Sequence, residues 1–193
     1  MGAFSLEHSR AGYGADFALY GGAVLVLAAF LLLATPRAQW LETAAITAAG
    51  LASWSMIEYV LHRFVLHGLQ PFKRWHAEHH HRPTALIFTP TLLSATLITT
   101  LVFLPALMLG SLLRACALTL GVLAGYLAYT VTHHATHHWR AGNNWLKTRK
   151  QWHALHHHQI ERAGYYGVTS GFWDHVFGSA RPAATSTDSS TQR

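Results

Sequence analysis

The chain alternates long apolar runs with short polar segments. A bilayer core requires about 20 residues of helix, so an apolar run of this length predicts a membrane span. Four such runs lie at 17–34, 41–61, 86–109 and 112–132. The second is the weakest because it holds Glu42 and Glu58, whereas Pro90 and Pro105 lie toward the ends of the third, where a helix tolerates proline best. The pattern predicts an all-α integral membrane helical bundle with about four transmembrane helices.

The first apolar run has two interpretations, a retained membrane anchor or a cleaved signal peptide. The preceding segment of sixteen residues is long and not clearly basic, and no small-x-small cleavage site precedes Pro36. An anchor is therefore favoured. We expect a loosely ordered polar N-terminal segment at 1–16 and a membrane-embedded domain at 17–180. The tail at 181–193, rich in Ser, Thr and Ala, is expected to be disordered.

Small residues set two further expectations. Only Gly110 and Ser111 separate the third and fourth runs, which should therefore form a helical hairpin. Gly121 and Gly125 form a small-x-x-x-small pair. This pair either lets two helices approach closely or reflects the general frequency of glycine in membrane helices.

Composition agrees with a membrane protein. Only 11% of the residues are Asp, Glu, Lys or Arg, whereas a soluble domain carries about 25%. The net charge of +6 does not indicate nucleic-acid binding, because basic nucleic-acid binders do not normally hold several bilayer-length apolar runs. The single cysteine, Cys116, excludes a disulfide within the chain and a cysteine-ligated zinc or iron–sulfur site, and is expected to be a buried, inert thiol.

Basic residues predict the orientation of the bundle. Four lie in segment 62–85 and seven follow residue 132, while the turns on the opposite side hold only Arg37 and Arg114. The positive-inside bias places both basic segments in the cytoplasm, together with both termini. The polar segments should then form a helical cap, rich in histidine, on the cytoplasmic side.

Histidine is concentrated in four short motifs that contain fourteen of the sixteen histidines. Arg-Trp-His-Ala-Glu-His-His-His at 74–81 returns almost unchanged as Gln-Trp-His-Ala-Leu-His-His-His at 151–158. On a helix, the i, i+3, i+4 spacing of His76, His79 and His80 places three rings on one face, and His153, His156 and His157 repeat it. His133 with His137, and His134 with His138, form i, i+4 pairs.

His62 and His67 break this regularity. They are five residues apart, which on a regular helix would turn them about 140° away from each other. Either they serve different ions or the helix deforms there, with Gly68 marking its end. His8, outside the four motifs, is expected to be a polar surface residue.

So many clustered imidazoles indicate a metal centre with more than one ion. A carboxylate-rich di-iron bundle needs two Glu-x-x-His pairs, and only Glu78 with His81 has that spacing. The His-Glu-x-x-His motif of zinc proteases is absent. Two ions sharing eight to ten imidazoles fit the count, although imidazole suits iron, copper and zinc alike. Glu58 either accepts the second N–H of His62 or is an interfacial acid; Asp174 either has a similar role or caps a helix.

The motifs resemble the fatty acid hydroxylase/sterol desaturase superfamily of integral-membrane di-iron oxygenases, over about residues 58–178. The matching motifs are His-Arg-Phe-Val-Leu-His (62–67), His-Ala-Glu-His-His (76–80), His-His-Ala-Thr-His-His (133–138), His-Ala-Leu-His-His (153–157) and Tyr-Gly-Val-Thr-Ser-Gly-Phe-Trp-Asp-His-Val-Phe-Gly (166–178). The closest likeness is to the fatty acid 2-hydroxylase branch. The resemblance implies metal ligands at His62, His67, His76, His79, His80, His133, His137, His153, His156 and His157. His138 matches an inner-shell or outer-shell histidine, and His81, His134 and His158 have no assigned role.

The resemblance also implies an activity. Two iron ions, which zinc replaces in purified protein, would use O₂ to hydroxylate or desaturate a lipid such as a fatty acyl chain or sterol. The chain has no cysteine set for an iron–sulfur cluster and no dinucleotide-binding fingerprint, so a separate electron donor is expected, a ferredoxin or a cytochrome-b-type protein with its reductase. The alternatives are a carotenoid hydroxylase, a non-catalytic membrane protein that binds or transports metal, and a b-type haem protein.

Overall fold

The structure, a computed structural model, describes residues 7–87, 89–158 and 164–180. Within them the regular structure is helical, apart from one isolated bridge between Glu7 and Ile87. Four helical segments are long and apolar enough to cross a membrane: Arg10–Ala34, Arg37–Leu66, Thr91–Leu109 and Leu112–His138. The predicted all-α bundle with four spans is confirmed. The predicted tail at 181–193 lies outside the described residues.

Helices α1 and α2 cover Arg10–Ala34 and Trp40–Val60, and α2 continues as a π-helical turn over Leu61–Leu66. The short α3 covers Phe72–His81. The third span consists of α4 at Thr91–Ile98, a π-helical turn at Thr99–Phe103 and α5 at Leu104–Leu109. Helix α6 covers Leu112–His138, α7 covers Asn144–His158 and α8 covers Phe172–Val176.

Three helix ends differ from the predicted ones. Helix α1 begins at Arg10, because the side chain of Ser9 accepts the N–H of Gly12, so residues 10–16 are helical and not loosely ordered. The third span begins at Thr91, with Pro90 as its N-cap. Proline disfavours helical geometry in the residue before it, so Thr89 does not extend the helix. Helix α6 runs past residue 132 to His138, which carries a complete histidine motif on the end of a spanning helix.

The core is formed where α2 crosses α6. A side chain on Gly121 would collide with the carbonyl of Thr47, and one on Gly125 would collide with Trp54. Of the two interpretations of this glycine pair, close helix approach is therefore the correct one. Tyr20, Trp54 and Tyr126 pack beside the crossing, and the predicted burial of Cys116 is confirmed. The predicted hairpin is also present, with Ser111 capping α6.

We expect Gly121→Ala to destabilise the protein, because the added methyl group would have to displace the backbone of α2. Overpacking of this kind costs about 1–3 kcal/mol. The thermal unfolding midpoint of the detergent-purified protein measures the effect. Gly22→Ala is the matched control, since a methyl group there meets nothing within 4 Å. Equal midpoints for the two variants would contradict the proposed crossing.

Candidate metal centre

The four histidine motifs meet at one end of the bundle in two clusters. In each cluster, one ring nitrogen from every member lies within 4.8 Å of all the others. The first cluster consists of His62, His67, His76, His80 and His156. The second cluster consists of His79, His133, His137 and His153. Nine of the ten predicted ligands are therefore brought together, from elements far apart in sequence.

The tenth predicted ligand, His157, lies beside both clusters. Its Nε2 is 3.1 Å from Nε2 of His153, and its ring stacks on His80 with the centroids 4.2 Å apart. It is not a member of either compact group. His157 therefore borders the site, within reach of the second cluster.

A π-helical turn explains how His62 and His67 enter the same cluster. The N–H of His67 donates to the carbonyl of His62, five residues earlier, at 3.2 Å. This wider turn adds one residue to the helix, so the two rings lie on the same side with centroids 5.3 Å apart. Of the two explanations for their spacing, helix deformation is the one observed. Gly68 follows the π-helical turn.

The sequence repeat has a spatial counterpart. Helix α3 contributes His76 and His80 to the first cluster and His79 to the second. Helix α7 makes the reverse contribution: His153 belongs to the second cluster and His156 to the first. The two helices therefore exchange roles, and His157 is the counterpart of His80 in this arrangement.

Ring nitrogens within each cluster face one another. In the first cluster, Nε2 of His76 lies 3.0 Å from Nε2 of both His62 and His80. In the second cluster, Nε2 of His137 lies 2.7 Å from Nε2 of His153. Zinc–imidazole bonds are about 2.0–2.1 Å long, so nitrogens that surround a single ion lie within about 4.2 Å of each other, and these pairs satisfy that limit. The donor set fits a metal ion in each cluster.

Burial keeps these histidines neutral. It lowers the pKa of His67 and His80 to about 4 and that of His157 to about 3, with neighbouring histidines adding to the effect. The pKa of His76, His153 and His156 is also lowered by burial. Metal binding requires the unprotonated ring, so these residues are competent as ligands at neutral pH.

Two ligands are oriented by backbone carbonyls. Nδ1 of His62 lies 2.5 Å from the carbonyl oxygen of Tyr166, and Nδ1 of His156 lies 2.7 Å from that of Gly164. A ring that donates from Nδ1 presents the Nε2 lone pair to a metal. Both histidines are almost completely buried, with 2% and 0% of their surface exposed.

Glu58 does not accept the N–H of His62, because its oxygens are occupied by other donors. Its carboxylate accepts the backbone N–H groups of Val168 and Thr169 and the hydroxyl of Thr169. The carbonyl of Tyr166, and not Glu58, lies at Nδ1 of His62 and can accept its N–H. Glu58 therefore supports the ligand only through the segment that carries this carbonyl.

Asp174 does not cap a helix either. Helix α8 begins after Gly171, and Asp174 lies inside it, fully buried. Its carboxylate accepts the N–H groups of Tyr166 and Gly167, both at 2.8 Å. It binds the same segment as Glu58, at the two residues that precede Val168.

The remaining motif histidines lie outside both clusters. His138 is exposed and stacks on His134 at 4.5 Å, while Nδ1 of His134 lies 3.2 Å from the hydroxyl of Tyr13. His81 and His158 are exposed. An inner-shell position for His138 does not agree with the structure, because its ring is exposed and belongs to neither cluster. The two supporting carbonyls were missed by sequence reasoning, since a carbonyl is common to every residue type.

Comparisons with known proteins show the family of the chain. Residues 47–179 match the fatty acid hydroxylase family. The dihydroceramide fatty acyl 2-hydroxylase FAH2 of Arabidopsis thaliana is 35% identical over 69% of this chain and 59% of its own length. The ceramide very long chain fatty acid hydroxylase scs7 of Schizosaccharomyces pombe is 32% identical over 69% of this chain and 41% of its own. The chain thus spans less than two thirds of these relatives.

A solved structure shows the same fold. It is described as full-length scs7p with only the hydroxylase domain visible. It superposes with a TM-score of 0.75 at 25% identity, and the match covers 88% of this chain and 67% of that one.

The lowered pKa values predict a pH-dependent stability for the metal-free protein. His67 and His80 have a pKa of about 4 when folded and return to 6.5 on unfolding. The unfolded state therefore binds protons first as the pH falls, so stability is fully present above pH 6.5 and is lost toward pH 4. We expect a lower unfolding midpoint at about pH 5 than at about pH 7.5, and a smaller difference in the double variant His67→Gln/His80→Gln. A midpoint that rises on acidification would contradict this prediction.

Proposed function

The chain belongs to the fatty acid hydroxylase family, and we propose on this basis that it is a membrane-bound di-iron oxygenase that hydroxylates a lipid acyl chain. The reaction would consume O₂ and two electrons from outside the chain. The observation that carries the proposal is the convergence of four histidine motifs into two compact clusters. The relatives named as acyl hydroxylases favour hydroxylation over desaturation.

We assign one ion to each cluster, with His157 as a fifth ligand in the second. The exchange of roles between α3 and α7 supports this assignment, because His157 is the counterpart of His80. All ten ligands are imidazoles, a donor set that iron, copper and zinc share. We choose iron because O₂ chemistry requires a metal that changes its oxidation state, which zinc does not.

The iron ions would supply the reduction of O₂ and the oxidation of the C–H bond. The protein would position the ions and the target carbon and exclude water. His62 and His156 are held by carbonyls, so their Nε2 atoms are oriented before a metal binds. Five of the nine clustered histidines are buried and the other four are half-buried. This burial would restrict access by water, which protects a reactive site from side reactions.

An apolar cavity of about 290 Å³ lies in the membrane-spanning part of the fold, between α2, the third span and α6. It is lined by Ile57, Leu101, Val102 and Val122, among others. Ile57 lies five residues before His62, about 7.5 Å along the helix. We propose that this cavity receives the tail of the acyl chain, while the carbon to be oxidised lies at the clusters.

Orientation and electron supply complete the proposal. The positive-inside bias of the basic segments supports an orientation in which the clusters and both termini face the cytoplasm. The electron donor would be a separate ferredoxin or cytochrome-b-type protein with its reductase, which reaches the clusters from that side.

Mass spectrometry of total lipids tests the function. We expect cells that express the protein with a redox partner to accumulate acyl chains heavier by 16 Da. His153→Ala should lower this product more than about 100-fold, because losing a ligand exceeds the effect of about 10- to 100-fold for losing an outer-shell partner. His138→Ala, which alters an exposed histidine outside the clusters, is the matched control.

Other products would contradict the proposal in different ways. Acyl chains lighter by 2 Da would show desaturation, and a hydroxylated xanthophyll would show a carotenoid hydroxylase. Protein that retains two metal ions yet consumes no O₂ with lipid and reductant would favour a non-catalytic role.

A further inference from the structure

Residues 164–169 form a buried loop, here named the support loop, whose backbone N–H groups are held by two carboxylates. Tyr166 and Gly167 donate to the two oxygens of Asp174. Val168 and Thr169 donate to Oε1 of Glu58, at 2.5 and 2.9 Å. Four consecutive N–H groups therefore bind buried carboxylates. Glu58 is 3% exposed and Asp174 is 0% exposed. Hydrogen bonds to a carboxylate are about twice as strong as neutral ones, so this loop is held firmly.

The carbonyls of the same loop face the metal centre. Gly164 and Tyr166 accept from Nδ1 of His156 and of His62. Gly167, between the two carboxylates, has no room for a side chain: an added Cβ would collide with the carbonyl of Ser170 and lie 3.0 Å from Oδ2 of Asp174. The carboxylates thus determine where the two carbonyls, and through them the two rings, are placed.

This support reaches only one cluster. His62 and His156 both belong to the first cluster. Among the described residues, Nδ1 of His79 and of His153 in the second cluster is buried without a hydrogen-bond partner, and so is Nδ1 of His80 in the first. The first cluster therefore has two ligands held by carbonyls and one that is not, whereas no carbonyl of the support loop reaches the second cluster. A partner for the second ring nitrogen fixes the tautomer and raises the basicity of the ligand, and its loss typically costs about 10- to 100-fold in metal affinity.

We propose that Glu58 and Asp174 are positioning residues that act through the support loop, and that the first cluster consequently holds its ion more tightly than the second. This inference rests on the proposed two-metal centre. If the two carboxylates only stabilised the fold, their loss would affect both ions equally. The rate at which each ion is released distinguishes the two roles.

Zinc release from the full-length, detergent-purified protein tests the inference. The protein is loaded with zinc and mixed with an excess of a chromophoric chelator. We expect two phases of one equivalent each, with rates at least about 10-fold apart. His133→Ala should remove the fast phase and His62→Ala the slow one, which assigns each phase to its cluster.

Glu58→Gln should accelerate the slow phase about 10- to 100-fold and leave the fast phase unchanged, because a neutral amide replaces the charge-assisted hydrogen bonds to the support loop with weaker ones. Glu42→Gln is the matched control on the same helix: Glu42 is exposed at the far end of α2, paired with Arg114 at 2.7 Å, and its loss should change neither phase. Thr169→Val removes only one donor to Glu58. Thr169→Val should accelerate the slow phase, but by less than Glu58→Gln does. It takes the place of Glu58→Gln as the test if Glu58→Gln does not fold.

Three results would overturn the inference: a single release rate for two wild-type equivalents, loss of the fast phase in His62→Ala, or equal acceleration of both phases in Glu58→Gln. A single rate with two bound equivalents leaves the proposed function intact. Fewer than two equivalents in the wild-type protein would overturn the two-metal centre as well.

Discussion

The structure depends on one interaction: unprotonated nitrogens of neighbouring histidine rings face one another inside the protein. His62 and His156 donate from Nδ1 to carbonyls, so each neutral ring must present a lone pair at Nε2. These lone pairs point at Nε2 of His76 and of His67, at 3.0 and 3.1 Å. A cation between such nitrogens converts an unfavourable packing into a coordination shell. The helices around the clusters must therefore bring these rings together from distant parts of the chain.

Each element of the fold contributes to that convergence. Helices α2 and α6 cross at glycines and then extend beyond their most apolar parts, which delivers His62, His133 and His137 to the same end of the bundle. The short helices α3 and α7 close the site, each contributing to both clusters. Because every cluster takes ligands from at least three elements, metal binding and the packing of the bundle are coupled.

Much of this arrangement could be predicted from the sequence. Hydrophobic runs defined the four spans, and helical spacing grouped His76 with His80 and His133 with His137 correctly, because both are local properties. The assignment of residues to clusters could not be predicted: His79 separates from its neighbour His80, since its ring meets His133 from a distant helix. The roles of Glu58 and Asp174 were also beyond the sequence, because both act on backbone groups of a loop whose path depends on the whole fold.

If the two clusters form a binuclear site made of imidazoles, each must hold its own iron ion. Anomalous diffraction at the iron absorption edge, from crystals of the iron-loaded protein, locates these ions. We expect two peaks, one surrounded by His62, His67, His76, His80 and His156 and the other by His79, His133, His137 and His153. A single peak, or iron bound away from these rings, would contradict the binuclear site.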